Sequence, residues 1–152
     1  FKWNEIPLTK EVDPKDINFS IRDLTLKKPF LVNIGNPHII FFDNEIEKYD
    51  VESFGSLIEN DNLFPEKINV SFAKLKSDNH IVLNVWERGA GKTNACGTAA
   101  CATAVAGVEM GVIKNKVTVT LPGGDLEIYY KSSDNIIMTG PTEINFTDKY
   151  KL

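Results

Sequence analysis

The chain has 152 residues, a formal net charge of −4, 42% hydrophobic and 25% charged residues. That is the size and balance of one soluble domain able to bury a core. The acidic balance, with lysines scattered rather than clustered, argues against a nucleic-acid partner. No apolar run is long enough for a membrane-spanning helix. The opening FKWNEIPL has neither an initiating methionine nor a charged leader, and reads as though it starts inside a longer protein.

Residues 1–15 hold two prolines and mixed polarity and read as a loop, a linker or the start of the domain, leaving 16–152 as the domain proper. INFSIRDL (17–24) alternates apolar and polar residues and predicts a strand. FLVNI and HIIFFD predict two more, parted by the turn Gly35, Asn36, Pro37. DVESFGSLIEN (50–60) has helical spacing at Val51, Phe54, Leu57 and Ile58, with Asp50 as N-cap. KINVSFAKL (67–75) and NHIVLNVWER (79–88) predict a hairpin. Residues 98–111 are alanine-rich and apolar almost all round, so that helix must be surrounded; Gly111 is placed to end it. KVTVTL (116–121), DLEIYY (125–130), NIIMTG (135–140) and TEINFT (142–147) predict short strands between turns. The fold class expected is α+β: a curled, mostly antiparallel sheet wrapped around a central apolar helix, plus a second, shorter helix.

Chemistry concentrates in ERGAGKTNACGTAACATAVAG (87–107). Cys96 and Cys101 are the two cysteines. Five residues apart on a helix they fall on different faces, so a disulfide would break the helix; reduced thiols suit the cytoplasm. Cys96 stands at a helix mouth, where free amides and the macrodipole favour negative charge and should lower a thiol's pKa. Gly91 and Gly97 permit close backbone approach, and Thr98 adds a hydroxyl. Cys101 lies more than a turn into apolar helix and reads as packing. Glu87 and Arg88 end a strand, where two solvated charges would explain them equally well. His38 follows a turn, as surface histidines often do, and Asn69 alone in an apolar strand signifies nothing.

IGNPHIIFF, FPEKINVSF, VWERGAGKTNACGTAACA, LPGGDLEI and MTGPTEINF, in this order and at these intervals, resemble the C-terminal half of diaminopimelate epimerase, from about Trp3 onward. The resemblance implies a cofactor-independent isomerase of lysine and peptidoglycan precursor synthesis that interconverts LL- and meso-diaminopimelate. In that family two cysteines, one per domain, flank the substrate α-carbon; one removes its proton as thiolate and the other, as thiol, reprotonates the opposite face. By position Cys96 resembles the second-domain cysteine, and Glu87 its acid–base helper. Asn36, Asn69, Glu87 and Arg88 resemble substrate contacts, and Gly97 and Thr98 the helix-mouth residues that bind the α-carboxylate. His38 resembles the residue that pairs with the first-domain cysteine. That cysteine and its N-terminal domain are absent from this chain, which is therefore expected to be inactive alone. A homodimer is also implied, with no cofactor and no metal.

Two departures from the family pattern stand near the mouth: Ala99 where glycine is common, and Lys92, whose charge should depress the thiol's pKa further. Three rivals remain at this stage. They are another two-cysteine enzyme such as a proline racemase, a cysteine hydrolase using Cys96 with a histidine, and a non-catalytic domain of this fold.

Overall fold

The computed structural model describes residues 4–17, 20–21, 24–25, 29–132, 135–144 and 147. Strands β1 (Ser20–Ile21) and β2 (Leu24–Thr25) form a small antiparallel ladder. It occupies part of the stretch expected as one strand over 17–24, whose residues 18, 19, 22 and 23 lie outside the described residues. The main sheet holds β3 (Phe30–Asn33), β4 (Pro37–Phe42), β5 (Asn69–Ser77), β6 (His80–Glu87), β7 (Gly91–Thr93), β8 (Lys116–Leu121), β9 (Gly124–Tyr129) and β10 (Ile137–Thr139). Its order is β10-β9-β8-β6-β5-β4-β3, with β7 paired to β6. The pairs β4–β5 and β6–β8 are parallel, and the other five are antiparallel.

Side-chain alternation divides two cores across this sheet. On β3 and β4, Phe30, Val32 and Ile40 enter one cluster, while Leu31, Ile39 and Phe41 enter the other. The first cluster surrounds helix α2 (Gly97–Glu109), which touches β3, β4 and β5 on one side and β8 and β9 on the other. Every residue from Ala99 to Gly107 is buried, because the curled sheet leaves that helix no solvent face. Ala99 belongs to this core. Its methyl group therefore fills packing rather than obstructing the helix mouth.

Helix α1 (Val51–Glu59) covers the opposite face, against β5, β6 and β7. Asp50 caps it, accepting from the Ser53 amide at 3.3 Å and from the Ser53 hydroxyl. Gly55 is what lets it sit so close: a Cβ there would lie 2.4 Å from the Cβ and Cγ of Trp86. Residues 4–17 contain turns but neither helix nor strand, yet Ile6, Leu8 and Ile17 are buried in this second cluster. That packing is more than a free linker would make.

The strand predicted over 142–147 is not formed at its described residues. Thr142, Glu143 and Ile144 have no ladder partner and are exposed, and 145 and 146 lie outside the described residues. Gly140 and Pro141 follow the last residue of β10, and a proline cannot donate to a continuing ladder.

Candidate active site

The site is assembled by register. Parallel pairing of β4 with β5 sets His38 opposite Asn69, and antiparallel pairing of β5 with β6 sets Val70 opposite Trp86. The turn after β3, the start of β5 and the turn after β6 thus meet at one end of the sheet. The N-terminus of α2 opens at the same end, beside a hollow of about 530 Å³. Glu87, Cys96, Gly97 and Thr98 all line it.

Cys96 is the N-cap of α2, with extended backbone (φ −146°, ψ 103°). Its Sγ lies 3.5 Å from the Thr98 hydroxyl. The Ala99 amide also faces the sulfur, short of capping geometry. The lowered thiol pKa expected at a helix mouth is not what results. Burial pushes the Cys96 thiol above its ordinary range, and the Glu87 carboxylate, by hydrogen bond and by charge, pushes the same way. Thr98 and the Ala99 amide pull it down without prevailing. Desolvation of the anion therefore outweighs the helix end here. Lys92 does not help, because its ammonium faces Glu52, 3.9 Å away. At neutral pH Cys96 rests as a thiol.

A chain of donors leads into this sulfur. His38 Nε2 meets Asn36 Oδ1 at 2.9 Å, and Asn36 Nδ2 donates to Thr98 Oγ1 at 3.3 Å. The Thr98 hydroxyl, accepting from Asn36, is left to donate its proton toward Cys96. His38 is fully buried, and its Nδ1 has no partner. Burial, assisted by the Arg88 charge, lowers its pKa to about 4, so the ring is neutral and Nε2 carries the proton given to Asn36. A cysteine-hydrolase layout would need the imidazole against the sulfur, and here Asn36 and Thr98 intervene.

Asn69 is buried with both ends of its amide engaged. Nδ2 donates to the Pro37 carbonyl at 2.9 Å, and Oδ1 accepts from the Arg88 amide at 3.0 Å. It braces two turns against each other. The Arg88 guanidinium reaches the Glu66 carbonyl at 3.1 Å and does not line the hollow. Gly91 lies off the site as well; its positive φ and the Trp86 ring 3.6 Å from its Cβ position account for it. Among the described residues no three His, Cys, Asp or Glu side chains gather as a metal would require.

Three features of the hollow were not legible in the sequence. Cys101 does not point elsewhere: it lines the same hollow as Cys96, because the extended backbone at Cys96 resets the angular relation between the two. Burial raises its pKa too. Met138 and Ile136, from β10 and the residues before it, form an apolar wall. A Cβ at Gly97 would lie 3.1 Å from the Met138 sulfur, so the glycine lets Met138 pack closely over the helix mouth.

In fold, the chain is similar to the Bacillus anthracis phenazine biosynthesis protein of the PhzF family, with a TM-score of 0.50 at 20% identity over 73% of this chain and 35% of that one. That likeness is one of architecture alone. The family whose model matches residues 30–145 is diaminopimelate epimerase. The diaminopimelate epimerase of Erythrobacter litoralis is 46% identical over 96% of this chain and 54% of its own length. That of Methylocella silvestris is 46% identical over 95% and 52%. The chain belongs to the diaminopimelate epimerase family and spans about half the length of these curated relatives. Among the described residues no helix is long and apolar enough to cross a membrane.

Proposed function

We propose that this chain is the second half of a cofactor-independent epimerase that interconverts LL- and meso-diaminopimelate. The observation that carries the reading is the convergence of Cys96, Glu87 and Thr98 on an open hollow at the mouth of α2. A first domain, supplying a second cysteine, closes over that hollow. One thiolate takes the α-proton, and the electron pair left on carbon spreads into the substrate carboxylate. The opposing thiol then delivers its proton to the other face, inverting the centre. The amides of Gly97 and Thr98 hold the carboxylate, and their attraction grows as it gains enolate-like charge. Expelling water on closure strengthens these contacts and leaves the thiolate a stronger base.

Cys96 resting as a thiol fits the acid role in one direction. For the reverse direction Glu87 takes the Cys96 proton to leave a thiolate, the first-domain cysteine takes up a proton from solvent to become the acid, and Glu87 returns its proton when Cys96 serves as the acid again. Asn36 and Asn69 hold the turns that face substrate; the resemblance would make Arg88 a substrate contact, and for that its guanidinium would have to leave the Glu66 carbonyl when the first domain closes. The resemblance would pair His38 with the first-domain cysteine. Its buried ring, with Nε2 committed to Asn36, supports instead a role in fixing the Asn36 amide. The reaction is placed in the cytoplasm, in lysine and peptidoglycan precursor synthesis.

The test is turnover of LL-diaminopimelate in D2O by the complete two-domain protein. Meso product carrying deuterium at the inverted centre is expected, and none from this chain alone. A folded two-domain protein that leaves LL-diaminopimelate unchanged would refute the proposal, and racemisation by the isolated chain would refute the two-domain division of the thiols.

A further inference from the structure

Glu59, the last residue of α1, sits outside the hollow and on the far face of the sheet, and is 3% exposed. A carboxylate so deeply buried is rare unless it is fully paired. Its Oε2 accepts from the Trp86 indole at 2.7 Å, and its Oε1 accepts from the Gly89 amide at 2.9 Å, with the Lys67 ammonium 3.7 Å away. Burial acts to raise its pKa, yet these donors hold it below the ordinary carboxylate value, so it is ionised at neutral pH.

Both partners flank Glu87. Trp86 and Glu87 are adjacent on β6, so the pleat sends them to opposite faces: Trp86 against α1, Glu87 into the hollow. Beyond Glu87 every turn amide has an assigned acceptor. Arg88 N–H donates to Asn69, Gly89 N–H to Glu59, and Ala90 N–H to the Glu87 carbonyl at 3.1 Å. We propose that Glu59 is a positioning residue whose two oxygens pin the strand end and the turn on either side of Glu87, and so aim that side chain at Cys96. This rests on the reading that Glu87 and Cys96 exchange a proton; the clamp itself can be tested without it.

The experiment follows the rate of Cys96 alkylation by iodoacetamide against pH, in this chain with Cys101→Ala to leave one thiol. Glu87→Gln removes the carboxylate that opposes thiolate formation, so the profile moves to lower pH and the rate at about pH 7.5 rises severalfold. Glu59→Ala is expected to move it in the same direction, and to add nothing in a Glu87→Gln background. Glu59→Gln keeps one acceptor oxygen and moves the profile less. A folded Glu59→Ala chain with the parent profile, or a shift additive with Glu87→Gln, overturns the proposal. Should Glu59→Ala fail to fold, Trp86→Phe removes one of the two donors, and an unchanged profile there overturns it equally. In the two-domain protein, Glu59→Gln should lower kcat with KM little changed. Alkylation is read without any diamino acid, so an inactive parent enzyme would refute the functional reading while the clamp was still being judged.

Discussion

The two helices of this chain are built on opposite terms. Helix α1 buries one face, and the Asp50 carboxylate caps its first turn, accepting from the Ser53 amide. Helix α2 is buried all round, and its N-cap is a cysteine that leaves the first amides turned toward a hollow. A capped, one-faced helix can be accounted for by stability alone. A wrapped helix with an open end has its stability supplied by the sheet around it, which frees its end for a ligand. The contrast extends to acids: Glu59, at the end of α1, is satisfied by fixed donors, while Glu87 faces a thiol.

The comparison can be broken or sharpened at several points. The largest effect, apart from loss of Cys96 itself, is expected at Glu87. Glu87→Gln should lower kcat of the two-domain enzyme by about 100-fold or more, the usual scale of a lost acid–base partner, while circular dichroism stays unchanged. A fall of less than a few fold would remove Glu87 from the proton exchange.

Next comes His38. Its folded pKa is about 4 against an ordinary 6.5. As pH falls through 6.5 the unfolded chain takes up a proton that the folded chain refuses until about 4. Stability is therefore complete above 6.5 and declines across that window, by about 3 kcal/mol in total. Urea unfolding of the parent should show this decline, and His38→Gln should flatten it.

Gly55→Ala comes third. The added methyl meets Trp86 and should cost about 1–3 kcal/mol by overpacking, read as a lower urea midpoint. Smallest is Asp50→Ala, which uncaps α1 for about 1 kcal/mol and should leave Cys96 alkylation unmoved. A change in that reactivity would mean the two helix ends are not independent.

Much of this architecture was legible in the residues. Alternation located β5, β6 and β8, and an alanine-rich segment without a polar face required a helix surrounded by something. Asp50, Gly111 and the Gly35–Asn36–Pro37 turn marked boundaries for definite conformational reasons. What local pattern could not reveal was long-range. His38 looked like a surface residue because its burial depends on β4 pairing in parallel with β5. Glu59 drew no attention in the sequence because its partners lie 27 and 30 residues away. Cys101 was assigned to another face because the sequence does not show where the helix angle begins. The direction of the Cys96 shift was missed for a matter of magnitude: a helix end is weaker than burial of the sulfur beside a carboxylate. Glu87 and Asn36 were singled out through the family resemblance rather than by local pattern; Glu87 and Thr98 line the hollow, and Asn36 donates to Thr98.

The most direct trial is Cys96→Ala in the two-domain protein, given LL-diaminopimelate in D2O and assayed for both diastereomers. If the sulfur at the mouth of α2 is one of the two proton carriers, no meso product forms, although the protein folds and still binds the substrate. Meso-diaminopimelate appearing at a rate near that of the parent would show that inversion proceeds without that sulfur.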